Sequence, residues 1–179
     1  EAAIEAVLQS SQESDVFVST TGKLSRELFE LREKFGHGHG KDFLTVGSMG
    51  HASMIALGIA KKRPDKRVVC IDGDGAVLMH MGALPFIASQ KPENFCHIVI
   101  NNQAHESVGA MPTGCQGADF ANLAKAAGYA HAGKLERMED LEKLSDFFID
   151  GKGPVLFEIP VSLSSRLDLG RPKESAREN

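Results

Sequence analysis

Val68-Val69-Cys70-Ile71-Asp72-Gly73-Asp74-Gly75 is the stretch on which the fold turns. Its first four residues are apolar without a break, where a half-exposed strand would alternate. An unbroken run is what a strand buried on both faces of a sheet requires. It ends in Gly-Asp-Gly, which permits a tight turn and close approach of backbone to a ligand. Similar β-rich runs lie on either side: Val16-Phe17-Val18, Phe43-Leu44-Thr45-Val46, His97-Ile98-Val99-Ile100 and Val155-Leu156-Phe157-Glu158-Ile159, with a weaker one at Tyr129-Ala130-His131-Ala132. Between them the spacing predicts helices over Ala2 to Leu8, Ser25 to Lys34, His51 to Lys62, Ala83 to Gln90, Phe120 to Ala127 and Met138 to Phe148. Pro85 falls early in its helix, where its missing N–H costs nothing. Strands alternating with helices predict an α/β fold, a parallel β-sheet with helices on both faces.

Ligands of such sheets sit beyond the carboxyl ends of the strands. Four of those ends are polar or Gly-rich: Ser19-Thr20-Thr21-Gly22, Gly47-Ser48-Met49-Gly50, Asp72-Gly73-Asp74-Gly75 and Asn101-Asn102. Gly-Asp-Gly alone, or Asn-Asn alone, also suits a plain turn. On consecutive strand ends, 28 positions apart from Asp74 to Asn102, they bring a carboxylate and an amide oxygen together. A carboxylate there repels an anionic ligand unless a cation lies between them. Oxygen ligands of this kind suit Mg²⁺.

The chain has 179 residues, with 20 Lys+Arg against 24 Asp+Glu and a formal net charge of −4. This balance gives no electrostatic basis for binding nucleic acid or an acidic membrane surface. No stretch approaches the roughly 20 apolar residues that span a bilayer. The first residue is Glu rather than Met, which suggests a processed chain or a piece of a longer one. Three cysteines without a CxxC pair predict reduced thiols and a cytoplasmic location. A single domain is expected over residues 1–163, followed by a polar tail over 164–179 that is either disordered or an arm lying on another surface.

Gly73-Asp74-Gly75 with Asn101-Asn102 resembles the thiamine-diphosphate signature of 2-oxo-acid decarboxylases and acetohydroxyacid synthases. The resemblance covers their diphosphate-binding domain and nearly the whole chain. It implies thiamine diphosphate and Mg²⁺ as cofactors, the metal held by Asp74, the Asn102 side chain and the backbone carbonyl of Ala104. It implies diphosphate contacts at Gly73, Gly75 and Ala76, and a second set at Thr21, Gly22 and Lys23, though Thr20 to Lys23 also suits a helix N-cap. Gly47, Ser48 and Met49 fall where the family binds the aminopyrimidine. The Gly47 carbonyl would accept from its amino group, and the Met49 side chain would hold the cofactor bent, although a core methionine is the commoner use of such a residue.

Longer runs narrow the resemblance. Phe43 to Ser53, Cys70 to Gly75, Asn101 to Gly109 and Arg166 to Pro172 resemble the branch that acts on phosphonopyruvate. They imply a lyase of phosphonate metabolism, one that converts this small 2-oxo acid to phosphonoacetaldehyde and CO₂. A sulfopyruvate decarboxylase β-type subunit and an acetolactate-synthase-like enzyme are the alternatives. The family activates its cofactor with a glutamate on a second, pyrimidine-binding domain. This chain is too short for both domains, so that domain is expected from a missing N-terminal part or a separate subunit, docking on an apolar patch around Met49 and Met111. A homo-oligomer is also expected. His105 and Glu106 border the substrate side and are the candidates for proton transfer. The phosphonate needs a cation, expected from the tail through Arg166 or Arg171 or from the missing domain.

Two other functions compete. Gly73-x-Gly75 begins a dinucleotide fingerprint, but Leu78 stands at the third glycine and no acidic strand end follows about 20 residues later. A cofactor-binding remnant without activity is the other. Elsewhere, His37 and His39 are read as a solvated loop, Cys70 and Cys96 as core thiols and Cys115 as an exposed one. Lys61 to Arg63 and Lys66-Arg67 are read as a solvated helix end and turn, and His80 has no evident partner.

Overall fold

The computed structural model describes residues 1–141, 144–146, 152–166 and 168–170. In chain order the elements are α1 (Ala2–Gln9), β1 (Val16–Ser19), α2 (Lys23–Lys34), β2 (Asp42–Leu44), α3 (Ala52–Lys62), β3 (Val68–Gly73), α4 (Asp74–Met79) and α5 (Ala83–Gln90). They continue with β4 (Phe95–Asn101), β5 (Ala104–His105), β6 (Met111–Pro112), α6 (Phe120–Ala127), β7 (His131–Lys134), α7 (Met138–Leu141) and β8 (Val155–Pro160). The end of the expected Met138 to Phe148 helix, including Phe148, lies outside the described residues. So do Leu167, Arg171, Pro172, Lys173 and Arg177 of the tail.

Six strands form one parallel sheet in the order β2-β1-β3-β4-β8-β7, and β5 and β6 make a separate two-stranded hairpin. The apolar runs explain why the central strands are buried: every residue of β4 and all but the last of β3 are inaccessible. Alternate side chains serve two cores. Phe17, Ile71, Ile98 and Phe157 pack against α1 and α2, while Val18, Cys70, Val99 and Leu156 pack against α3, α5 and α6. The expected parallel sheet covered on both faces is what the chain forms. No helix among the described residues is long and apolar enough to cross a membrane.

The differences from expectation have local causes. β7 starts at His131 rather than Tyr129, because Gly128 adopts φ +101° to end α6 and Tyr129 is buried beneath the helices. β2 stops at Leu44, since the chain turns outward through Gly47 (φ +73°) and Ser48 (φ +46°) and leaves Val46 80% exposed. Gly73-Asp74-Gly75, read as a turn, carries β3 through Gly73 and starts α4 at Asp74; two glycines hide so short a helix.

The loop containing His37 and His39 is less solvated than expected. His39 stacks on Phe29 with ring centroids 4.0 Å apart, and its Nδ1 lies 3.3 Å from Asp42 Oδ2. Asp42 is buried, as is Arg32, whose Nε donates at 3.0 and 3.1 Å and whose Nη2 donates at 2.6 Å to the carboxylate. The Arg32 guanidinium also lies 4.8 Å from the Phe17 ring centroid. This pair fastens α2 to the start of the edge strand β2. Removing one partner strands the other charge, a loss of about 3–5 kcal/mol for buried pairs. Asp42→Ala is therefore expected to lower unfolding free energy in urea by that amount, and Arg32→Met combined with Asp42→Leu to recover most of it. A loss under about 1 kcal/mol for Asp42→Ala would show that the pair contributes nothing to the fold.

Candidate functional site

Parallel register puts the decisive strand ends at one level. Ser19 pairs with Ile71, and Gly73 pairs with Ile100, so Thr20, Asp74 and Asn102 leave the sheet together. There they border a cleft of about 680 Å³, lined by Thr20, Thr21, Gly22, Lys23, Met49, Gly73, Asp74, Gly75, Ala76, Asn102, Ala104, His105, Glu106 and Ser107 among others. Of the residues singled out from sequence, Gly47 and Ser48 are not in the lining. They stand exposed at the rim, where Gly47 N donates to Thr21 Oγ1 at 3.1 Å.

Two helices begin at this cleft, α2 after Gly22 and α4 after Gly73, and neither has a side-chain cap. Their first-turn N–H groups have no intrahelical acceptor, and such ends favour an anion. Thr20 Oγ1, buried in the cleft wall, makes no hydrogen bond within the chain. Gly75 is closely covered: a Cβ there would come within 2.9 Å of His105 Nδ1 and of Thr113 Cγ2. Gly50 is similarly confined at φ +86°, where a Cβ would lie 2.9 Å from the Ala76 carbonyl and against His80. His80, without an evident partner in the sequence, packs on His51 with ring centroids 4.2 Å apart.

Asp74 is 2% exposed. Its Oδ2 accepts from Thr113 Oγ1 at 2.7 Å and from Cys115 Sγ at 3.0 Å. Both donors are neutral, and among the described residues no basic side chain pairs with it. An ionised carboxylate buried without a countercharge is costly unless a cation joins it. Cys115, read as exposed, is 3% exposed, because the segment after β6 folds back onto α4. Burial and the neighbouring Asp74 carboxylate raise its thiol pKa against the opposing bond from Thr113. Cys96 is buried as expected, its pKa pushed up to about 12 by burial.

Asn101 and Asn102 point to different tasks. Asn101 Nδ2 donates to the fully buried Glu158 at 2.8 Å, and Glu158 also accepts from Phe120 N at 2.9 Å, tying β4, β8 and α6 together. Asn102 turns into the cleft, where its Nδ2 donates to Glu106 Oε2 at 3.1 Å and its Oδ1 accepts from Ala104 N at 3.1 Å. Ala104 is paired opposite Pro112, which has no N–H to give. Lys23 Nζ donates to Glu106 Oε1 at 3.1 Å and to Ser165 Oγ. Partial burial pushes the Glu106 carboxyl up, but hydrogen bonds from Ser165 and Lys23 and the Lys23 charge outweigh it and hold it below the ordinary glutamate range.

The described part of the tail lies on its own domain. Arg166 is ion-paired with Glu30 and, at 2.8 Å, with Glu1, and Gly170 N donates to Glu30 Oε1 at 2.7 Å. Arg166 borders the cleft with its guanidinium already engaged, so it is not the free cation that the sequence suggested; Arg171 lies outside the described residues. Exposed apolar residues in the segments that carry the motifs include Val46, Val108 at 60% and Met111 at 57%; Met49 is half-buried. Thr113, Glu158, Asp72 and His97 escaped the sequence reading. Asp72 Oδ2 and His97 Nε2 lie 3.4 Å apart in the core beneath the site, with Cys70 beside them. A polar residue inside an apolar strand was the available signal for Glu158, Asp72 and His97; Thr113 gave none.

Comparison with known proteins agrees with this geometry. The family described as thiamine pyrophosphate enzyme, C-terminal TPP binding domain, matches residues 21–159. A phosphonopyruvate decarboxylase of Streptomyces hygroscopicus is 36% identical over 177 residues, 99% of this chain and 43% of the relative. The chain thus spans less than half of that enzyme. The sulfopyruvate decarboxylase subunit beta of Methanothermobacter thermautotrophicus is 32% identical over 149 residues, 83% of this chain and 75% of the subunit. The solved structure of benzoylformate decarboxylase from Polynucleobacter necessarius shares the fold, with a TM-score of 0.78 at 18% identity over 92% of this chain and 33% of that one. A parallel sheet whose strand ends carry a buried carboxylate, an amide and two uncapped helices is thereby assigned: the chain belongs to the thiamine pyrophosphate enzymes, as their C-terminal cofactor-binding domain.

Proposed function

We propose that this chain is the diphosphate-binding half of a thiamine-diphosphate- and Mg²⁺-dependent decarboxylase that converts phosphonopyruvate to phosphonoacetaldehyde and CO₂. The observation that carries the reading is Asp74: a buried carboxylate with neutral donors on one oxygen and, among the described residues, no countercharge, at the first of the α4 residues where two uncapped helices open on the cleft. That arrangement would suit a dication, whose charge would offset both the carboxylate and a bound diphosphate. The donors offered to it are the Asp74 carboxylate, the Asn102 amide and the Ala104 carbonyl, all hard oxygens that favour Mg²⁺ over softer metals. The N–H groups of Gly75 and Ala76, with Thr21, Gly22 and Lys23 across the cleft, would hold the diphosphate. Gly47, Ser48 and Met49 would hold the aminopyrimidine from the rim.

Bound thiamine diphosphate supplies the electron sink that makes loss of CO₂ from a 2-oxo acid feasible. The chain's own residues fix the diphosphate end and shape the bottom of the site. His105, covering Gly75, is placed to give or take a proton at the substrate side, as an imidazole can near neutral pH. A pyrimidine-binding domain, with the glutamate that completes activation, would come from another part of the same protein or another subunit. The rim around Val46, Val108 and Met111 supports such docking, and a homo-oligomer built on it fits the same surface. The likeness to phosphonopyruvate decarboxylases, which runs along nearly all of this chain, supports that substrate. Sulfopyruvate is the second reading, favoured by one observation: the β subunits of that enzyme match over most of their own length, which suits a partner domain on a separate chain. The reading assigns the enzyme to the cytoplasm.

Four outcomes test the reading. Asp74→Ala in the complete protein should weaken Mg²⁺-dependent binding of thiamine diphosphate at least about tenfold by calorimetry, equivalent to about 1.4 kcal/mol; unchanged affinity removes the metal assignment. Gly75→Ala should also weaken binding of the cofactor, because the new methyl displaces His105 and Thr113, while leaving the sheet folded by circular dichroism. Normal affinity in that variant would show that the cover over α4 plays no part. The purified chain alone should release no CO₂, and the complete enzyme should give its highest kcat/KM with phosphonopyruvate, ahead of sulfopyruvate and pyruvate. Preference for pyruvate defeats the substrate assignment, and turnover by the isolated chain defeats the need for a second domain.

A further inference from the structure

The amide of Asn102 has one orientation that satisfies its surroundings. Its Nδ2 faces an acceptor, Glu106 Oε2, and its Oδ1 faces a donor, Ala104 N, each at 3.1 Å. Turned over, it would set NH₂ against N–H and oxygen against carboxylate. A side-chain oxygen has two lone pairs, and Ala104 N uses one, so the other remains for a cation. Glu106 therefore acts with Ala104 N in telling the oxygen of Asn102 from its nitrogen. Glu106 is itself fixed: Lys23 holds its other oxygen at 3.1 Å, and Ser165 joins the same group. Lys23 opens α2 at the cleft, and Ser165 belongs to the arm that Arg166 fastens to Glu30 and Glu1.

We infer that Glu106 is a positioning residue: its carboxylate, clamped by Lys23 and Ser165, aims the Asn102 oxygen at the divalent cation. Both carboxylate oxygens are occupied in this role, so Glu106 does not carry a proton to substrate. The C-terminal arm acquires a function from the same contacts, since Ser165 holds the clamp closed from a distance of 142 positions in sequence. The inference rests on the reading that Asp74 and Asn102 hold Mg²⁺ with the diphosphate. Partners of this kind, which orient a metal ligand without touching the metal, typically change affinity 10–100-fold.

The test is calorimetric titration of Mg²⁺ into the complete protein at saturating thiamine diphosphate, with kcat measured alongside. Glu106→Ala should weaken Mg²⁺ about 10–100-fold, and Glu106→Gln, which still offers Asn102 an acceptor oxygen, should recover most of the loss. In an Asn102→Ala background Glu106→Ala should add less than about twofold, because the two act as one unit. Ser165→Ala should give a smaller weakening in the same direction; it leaves Glu106 and Lys23 intact, so it remains informative if Glu106→Ala does not fold. Mg²⁺ affinity within twofold of the parent in Glu106→Ala and Ser165→Ala, or losses that simply add in the double variant, would overturn the inference. A fall in kcat at unchanged Mg²⁺ affinity would overturn it in favour of proton transfer. If the parent protein binds no Mg²⁺ with thiamine diphosphate, the reading of the site itself fails, and that failure is visible before any variant is made.

Discussion

The parallel register of β1, β3 and β4 is the constraint on which everything else depends. Val16 lies beside Val68, and Val68 beside Phe95, so three chain segments far apart in sequence end at one level. Side chains alternate along a strand, and a slip by one residue exchanges the two faces. In β3 that exchange would turn Asp72 toward the core filled by Phe17 and Ile98, away from His97. The apolar cores thus fix the register, and the register in turn fixes which residues meet at the cleft. Asp74 and Asn102 are neighbours because Gly73 must pair with Ile100.

Once the register is set, the site becomes a problem of negative charge. Asp72, Asp74, Glu106 and Glu158 crowd the carboxyl ends of β3, β4 and β8. Glu158 accepts from Asn101 and Phe120 N, and Glu106 is paired with Lys23, while Asp72 Oδ2 makes no hydrogen bond and lies 3.4 Å from His97 Nε2. Asp74, like Glu158, receives neutral donors alone, from Thr113 and Cys115, but unlike Glu158 it lines the cleft. Those donors fix one oxygen, and among the described residues no cation pairs with the charge. A low effective dielectric magnifies both the cost of that charge and its attraction for a cation. On the proposed function, a buried carboxylate that lines the cleft is the one suited to hold a metal against a diphosphate.

The strands and long helices were legible because each is a run of residues with its own periodicity. All five strong strand runs correspond to sheet strands, and Phe120 to Ala127 matches α6 residue for residue. The site was legible where its residues lie in the turns that end strands, as Asp74 and Asn102 do. It was not legible where contacts join distant segments. Cys115 reaches Asp74 across 41 positions and Lys23 reaches Glu106 across 83, and nothing in either local sequence marks the other. A glycine-rich stretch looked exposed around Cys115 because flexibility and burial are independent when a loop folds back on a helix. Likewise, Asn101 and Asn102 read as one motif, yet strand alternation sends the first to Glu158 and the second to the cleft.

The two ends of the site are built to different degrees within this chain. Around Asp74 and Asn102, Thr113, Cys115, Glu106, Lys23 and Ser165 supply the hydrogen bonds from the chain itself. The Gly47 to Gly50 turn is the opposite case: Ser48 holds φ +46°, a left-handed conformation that costs a non-glycine residue about 1 kcal/mol or more, and Val46 beside it is 80% exposed. Thr21 restrains the turn at Gly47, and its outer face has no cover among the described residues. On the proposed function this division follows from the cofactor's own shape. Its diphosphate end needs fixed oxygens and N–H groups, which a sheet edge and two helix termini can supply alone. Its ring end would need a second wall and a glutamate, so the turn proposed to receive it would stay open for a pyrimidine-binding domain. On that proposal, a chain spanning 43% of the phosphonopyruvate decarboxylase it matches would present the anchor for the cofactor and leave the chemistry to the assembled protein.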